Sequence, residues 1–348
     1  MERVLMKGNE AVGEAAILSG CRYYFGYPIT PQNELTAYMA RRMPEVGGTF
    51  IQAESEIAAI NMVYGASAAG ERAMTSSSGP GISLKQEGIS YLAGAELPCV
   101  YVNVMRGGPG LGNIAPAQSD YFQATRGGGH GDYRVIVLAP DSVQEMADLT
   151  MLGFYLADKY RNPAMILADA LVGQMLEPME LRGPDFPELP PKSWAVGQMN
   201  GREQNLITSL FLGGDTLERH NLDLQRKYDS IQKDEVRWEG LLLDDADIAI
   251  VAYGMSARVA RGAVIQGRAR GLKIGLFRPI TLWPFPSIMI SRLVERVRCI
   301  LVVEMSLGQM VEDVRLAVNG RCEVHLYART GGGIPTCEEV LKRVERLL

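Results

Sequence analysis

Clustered cysteine is the first thing missing from this chain of 348 residues. Its five cysteines (Cys21, Cys99, Cys299, Cys322 and Cys337) form no Cys-x-x-Cys pair, and an odd, scattered set argues against a disulfide framework. The three histidines, His130, His220 and His325, are too far apart to suggest a metal motif, so no metal-ligating residue is assigned. An iron–sulfur cluster or tightly held zinc in this system therefore belongs on another chain. Basic excess is missing too. Lys and Arg total 35 against 40 Asp and Glu, for a net charge of -5, and no basic stripe suggests a nucleic-acid partner. No apolar run approaches the ~18 residues of a membrane span. Met1–Gly20 carries Glu2, Arg3, Lys7, Glu10 and Glu14, which a secretory leader would not. The expectation is a soluble, cytoplasmic protein.

What is present is an alternation of short β-rich runs and helical stretches in two blocks, and at about 150 residues per domain the length fits roughly two domains. First-block strands are expected at 22–27, 49–53, 73–77, 98–105, 134–139 and 164–168, with helices at 9–19, 31–42, 55–69, 82–94 and 142–160. Runs such as Cys99–Val104 and Val135–Leu138 are apolar on both faces, as strands of a helix-covered parallel sheet must be. Pro31 suits a first helical turn and Asp141 an N-cap. Gly183–Pro191 is proline-rich and continues neither element. Leu217–Leu241 reads as one amphipathic connecting helix. A second block follows, with strands at 248–253, 273–277, 299–304 and 324–327 and helices at 256–270, 287–297, 308–318 and 337–347. The expected fold class is α/β, two doubly wound, mostly parallel-sheet domains at 1–182 and 245–348 joined by a linker at 183–244.

Four turns rich in glycine, proline or serine are expected just after first-block strands: Gly26–Pro31, Ser76–Gly81, Arg106–Gly112 and Gly127–Asp132. Open parallel sheets bind ligands at the carboxyl ends of their strands, where glycines admit close backbone approach. One such turn alone is as well explained by chain reversal. Gly110–Ala115 imitates the dinucleotide pattern G-x-G-x-x-A, with Asp132 downstream. Pro109 and Pro116 bracket it, however, and the third position of that fingerprint must open a helix. There is also no phosphate-binding P-loop and no nucleophile elbow.

Glu54 and Glu56 stand at a strand-to-helix junction, ahead of a small, apolar helix through Gly65–Ala69. A carboxylate there can simply favour the helix N-terminus, a role that suits Glu54. The second reads as a positioned acid. Arg106 ends an apolar strand among glycines, where its fork could hold a carboxylate or phosphate.

Taken together and in order, Gly26–Pro31, Gln52–Glu56, Gly94–Cys99, Arg106–Pro109 and His130–Asp132 resemble the alpha subunit of the 2-oxoacid:ferredoxin oxidoreductases, which use thiamine diphosphate. The resemblance spans nearly the whole chain. It implies a pyrimidine-binding first domain and a second domain like the transketolase C-terminal one. By resemblance, Glu56 hydrogen-bonds the aminopyrimidine ring and so promotes proton removal from the thiazolium carbon. Thr30 lies near the substrate carbonyl, and Arg106 pairs with the 2-oxoacid carboxylate. Pro28, Ile29, Gly79, Gly107 and Gly108 complete the implied cofactor-binding set.

The diphosphate half has no match. Gly131-Asp132-Tyr133 and Gly214-Asp215-Thr216 both depart from the superfamily's Gly-Asp-Gly pattern. The resemblance therefore implies a beta subunit that supplies Mg2+ and diphosphate binding. It also implies a ferredoxin-like iron–sulfur subunit, a gamma subunit where the assembly has one, ferredoxin as acceptor and coenzyme A as co-substrate. Gly110-Leu111-Gly112-Asn113 follows Arg106-Gly107-Gly108-Pro109, where 2-oxoglutarate types have Ser-Thr-Gly. This resembles the branched-chain, 2-oxoisovalerate type, since hydroxyls that could contact a distal carboxylate are gone. The 2-oxoglutarate type stays as the alternative. Outside this class stand a nicotinamide dehydrogenase built on Gly110–Ala115 and a non-catalytic assembly subunit.

Overall fold

The computed structural model describes residues 3–197 and 203–348. The first block runs β1 (Arg3–Lys7), α1 (Gly8–Leu18), β2 (Tyr23–Gly26), α2 (Asn33–Glu45), β3 (Thr49–Gln52), α3 (Glu56–Ala68), β4 (Ala73–Ser77) and α4 (Pro80–Gly94). It continues with β5 (Cys99–Met105), α5 (Tyr121–Thr125), β6 (Ile136–Leu138), α6 (Val143–Tyr160), β7 (Pro163–Asp169), α7 (Ala170–Gln174) and β8 (Leu176–Glu180). The second block contains α8 (Gly214–Asp234), β9 (Trp238–Leu241), β10 (Ile248–Val251), α9 (Gly254–Ala269), β11 (Ile274–Pro279) and β12 (Thr281–Trp283). It closes with α10 (Ser287–Leu293), β13 (Cys299–Glu304), α11 (Met310–Val318), β14 (Glu323–Ala328) and α12 (Cys337–Glu345).

The larger sheet has the order β12-β6-β7-β5-β4-β2-β3, and every neighbouring pair is parallel except β12 with β6. Its central strands β4, β5 and β7 are buried along their whole length, which is why the sequence there is apolar on both faces. The smaller sheet has the order β14-β13-β10-β11-β9, parallel except at the β9 edge. Two α/β units of mostly parallel sheet are thus present. Cys21, Cys99 and Cys299 are buried in them as small apolar side chains, and burial pushes the Cys21 and Cys99 thiols up to about 12.

Several local expectations need correction. The segment 217–241 is not one helix: α8 ends at Asp234, and Trp238–Leu241 forms an edge strand on β11, with Trp238 stacked on Phe277 at 4.8 Å. Helix α2 begins two residues after Pro31, with Gln32 as its N-cap. Helix α6 is capped by Ser142, whose hydroxyl accepts from the Glu145 amide, while Asp141 pairs with Arg261 and Arg278, each at 3.1 Å. Strands β1 and β8 form an antiparallel pair with no sequence signal. Strand β12, from the second block, joins the first sheet.

The two sheets are also locked side chain to backbone. Gln118 donates to the Tyr253 carbonyl at 2.8 Å and accepts from the Met305 amide at 2.9 Å, and the Asp169 carboxylate accepts from the Met255 amide at 2.9 Å. The second unit therefore lies against the loop that follows β5.

Candidate functional site

Strands β3, β2, β4 and β5 are consecutive and parallel, so the loops that follow them all emerge at one edge. These loops carry Glu56 (after β3), Pro28, Ile29 and Thr30 (after β2), Gly79 (after β4) and Arg106, Gly107 and Gly108 (after β5). The fourth expected turn does not join them. Gly127–Asp132 follows helix α5, not a strand, and His130 accepts through its carbonyl from Ser90 Oγ on the later turns of α4 at 2.6 Å.

The loop after β2 is clamped from below. Gln32 Oε1 accepts from Ser76 Oγ at 2.5 Å and from Thr36 Oγ1 at 3.1 Å, and Asn9 Nδ2 donates to the Pro31 carbonyl at 2.9 Å. That clamp holds the Thr30 carbonyl where Arg106 Nη1 donates to it at 3.0 Å, while Arg106 Nη2 donates to the Leu111 carbonyl at 3.2 Å. Arg106 is 7% exposed, and its Nε is buried without a partner. Two carbonyls use only part of the guanidinium's five donors. The side chain is fixed with hydrogen-bonding capacity to spare.

Glu56 opens α3, and Ser55 is the N-cap, its hydroxyl accepting from the Ala58 amide at 3.2 Å. Glu54, assigned a helix-start role from sequence, is exposed in the preceding bend. The Glu56 side chain is buried and receives no hydrogen bond among the described residues. The Gly79–Gly81 turn separates it from Arg106. A Cβ on Gly79, whose φ is +43°, would sit 3.6 Å from Arg106 Cγ, and one on Gly81 would sit 2.5 Å from Glu56 Oε1 and collide with Ser77 Oγ. Glycine is thus required where the turn passes between acid and base.

A cavity of about 630 Å³ opens on the Arg106 side, lined by Gly79, Pro80, Arg106, Gly107, Gly108 and Asp120, with Leu307, Gln309 and Thr330 from the second unit. Glu56, Thr30, Pro28 and Ile29 do not line it. Pro28 is exposed and Ile29 half-buried on the neighbouring loop. Asp120 escaped sequence reading because nothing in its spacing marks it. It accepts from Asn103 Nδ2 at 2.9 Å, and burial raises its pKa although Asn103 and the nearby Arg106 oppose the shift. Lys85 escaped as well, since a lone lysine within an amphipathic helix reads as surface; it is fully buried beneath Glu56.

The loop Gly110–Ala115 opens no helix. The Asn113 amide donates to the Gly107 carbonyl at 2.9 Å and the Gly107 amide to the Ala115 carbonyl at 3.0 Å, closing a tight reversal unlike a dinucleotide turn. The donor set does suit an aminopyrimidine ring. It combines a buried carboxylate free to accept, a glycine cradle beside it, and the buried hydroxyls of Ser77 and Ser78, both without partners. Among the described residues no group of three or more His, Cys, Asp or Glu could hold a metal ion. No helix there is long and apolar enough to cross a membrane.

Comparison with known proteins places the chain in a family. Residues 14–230 match the family described as pyruvate flavodoxin/ferredoxin oxidoreductase, thiamine-diphosphate-binding, and residues 246–340 match pyruvate:ferredoxin oxidoreductase core domain II. The ketoisovalerate oxidoreductase subunit VorB of Methanothermobacter marburgensis is 55% identical over 100% of this chain and 98% of its own length. The 2-oxoglutarate synthase subunit KorA of Methanocaldococcus jannaschii is 38% identical over 99% of this chain and 100% of its own. Among solved structures, 2-oxoglutarate:ferredoxin oxidoreductase from Magnetococcus marinus, with 2-oxoglutarate, coenzyme A and succinyl-CoA bound, superposes with a TM-score of 0.86 at 29% identity; the match covers 99% of this chain and 65% of that one. The chain belongs to the pyruvate flavodoxin/ferredoxin oxidoreductase family, as one subunit of a thiamine-diphosphate-dependent 2-oxoacid oxidoreductase.

Proposed function

We propose that this chain is the pyrimidine-binding alpha subunit of a 2-oxoisovalerate:ferredoxin oxidoreductase, which converts the 2-oxoacid and coenzyme A to acyl-CoA and CO2 and passes the electrons to ferredoxin. The observation that carries the site assignment is the placement of Glu56 and Arg106 on either side of the side-chain-free Gly79–Gly81 turn. Bound thiamine diphosphate supplies the carbon nucleophile and the electron sink that decarboxylation needs.

The protein residues do the rest. The Glu56 carboxylate would accept a hydrogen bond from the ring nitrogen and so hold the proton on that nitrogen, a task suited to a carboxylate withdrawn from water. Arg106 holds the substrate carboxylate through the donors its two carbonyl partners leave free. Thr30, whose Oγ1 accepts from Asn33 Nδ2 at 3.1 Å, directs its hydroxyl hydrogen to the substrate carbonyl oxygen. Pro28 and Ile29 give the ring an apolar contact, while Gly79, Gly107 and Gly108 let backbone approach it.

The apolar side chains Ile51, Ile57, Leu84, Leu111, Ile114 and Leu307, all exposed near these loops, fit burial by a beta subunit that brings Mg2+ and the diphosphate site. The iron–sulfur clusters belong to a ferredoxin-like subunit, and the assembled enzyme works in the cytoplasm.

The branched-chain substrate is supported by the higher identity to the ketoisovalerate subunit and by Gly110-Leu111-Gly112-Asn113, which carries no hydroxyl. Assay of the assembled complex with 2-oxoisovalerate, 2-oxoglutarate, pyruvate and indolepyruvate tests it: kcat/KM is highest for 2-oxoisovalerate, and a preference for 2-oxoglutarate would replace this reading with the alternative.

A further inference from the structure

Helices α3 and α4 meet along a strip where α4 presents Gly81, Lys85 and Gly88, residues on successive turns of one helix face. A Cβ on Gly88 would lie 2.5 Å from Ile60 Cγ2, as one on Gly81 would from Glu56 Oε1, so the strip is bare at both ends and the helices approach closely. Lys85 reaches between them, buried. Its Nζ donates to Thr75 Oγ1 at 3.0 Å and to the Glu56 carbonyl at 3.3 Å.

Two neutral acceptors do not replace the hydration of a fully buried ammonium, and an apolar side chain of similar volume would fill the strip at lower cost. Burial holds the Lys85 ammonium down at about 8, and Glu56 is the one charge opposing that shift. Other titratable groups on the packed elements are engaged elsewhere. Tyr24 on β2 bonds Ser76 and Thr36, Asp169 on β7 accepts backbone amides, and Glu87 on α4 accepts from Tyr91; burial raises the Tyr64 phenol on α3, which keeps it neutral.

We propose that Lys85 is the positioning residue of Glu56: its ammonium braces the first turn of α3 against β4 and places a positive charge close to the residue whose carboxylate meets the cofactor ring. The proposal rests on the assignment of Glu56 above.

The test is the dissociation constant of thiamine diphosphate, with Mg2+, from the assembled complex, measured by calorimetry from about pH 6.5 to about pH 9.5. In the native complex, affinity falls severalfold as pH rises through the Lys85 titration near 8. Lys85→Met binds about tenfold more weakly at neutral pH and shows no such fall, because no charge is left to lose. Lys85→Arg, which keeps its charge throughout, binds well and also loses the alkaline step. Native affinity and a native pH profile in Lys85→Met overturn the proposal. If that variant fails to assemble, an alkaline step that persists in Lys85→Arg does so. Glu56→Gln separates the two ideas. Cofactor binding unchanged in Glu56→Gln removes the Glu56 assignment and this inference with it, whereas weakened binding there beside unaffected Lys85 variants removes only the role of Lys85.

Discussion

Arg106 Nη1 donates to the backbone carbonyl of Thr30 at 3.0 Å, across 76 residues of sequence. This contact ties the end of β5 to the loop after β2 and fixes the guanidinium above the crevice. Arg106→Ala should lower kcat/KM for the 2-oxoacid by about 10- to 100-fold, the range for losing a hydrogen bond to a charged group. Steady-state kinetics of the reconstituted complex measure it. Arg106→Lys should recover only part of the loss, because an ammonium cannot reproduce the planar fork that spans two carbonyls and a carboxylate. Full activity in the alanine variant would also favour the assembly-subunit reading.

Glu56→Ala should reduce turnover by ~100-fold or more, the scale of a lost acid–base contribution, while the complex still assembles. Gel filtration confirms assembly, and electron transfer to ferredoxin or a viologen reports turnover. Near-native turnover in an assembled complex would remove Glu56 from the mechanism.

Two glycines in one loop should behave oppositely. Gly112 has a φ of +57°, and a Cβ there runs into the Gly107 carbonyl, whereas a Cβ on Gly108 meets nothing within 4 Å. Gly112→Ala should destabilise the chain by about 2 kcal/mol or more, and Gly108→Ala should stay within about 0.5 kcal/mol of the native protein. Denaturant melts of the isolated chain read both.

Burial raises the Asp120 pKa, so the folded protein holds this proton more tightly than the unfolded chain does. A raised carboxylate contributes most to stability at low pH and loses that contribution as pH climbs through the folded value. Asp120→Asn should therefore melt higher than the native chain at neutral pH, and the gap should narrow as pH falls into the carboxylate range. A gap that widens on acidification would contradict the assignment.

Calorimetry of the isolated chain with NADH should show no binding heat. The Gly110–Ala115 segment closes back on the Gly107 backbone and opens no helix, so it offers no helix N-terminus to a pyrophosphate. Saturable heat would revive the dehydrogenase reading.

The sequence by itself determined the alternation of buried strands and helices and the loops after β2, β4 and β5, and it singled out Glu56 and Arg106 as candidates. These are local signals, written in runs of apolar residues and in glycine and proline punctuation. Gly127–Asp132 shows their limit: its glycines mark a turn correctly but cannot say which element precedes it. Only the tertiary structure decided that β9 edges the second sheet beside β11, that β12 pairs across blocks with β6, that Gln118 and Asp169 lock the two units, and that Asp120 and Lys85 sit beside Arg106 and Glu56. The reason is physical. Edge pairing and the burial of a lone charge depend on neighbours brought in by long crossovers, and no short-range pattern of residues records those neighbours.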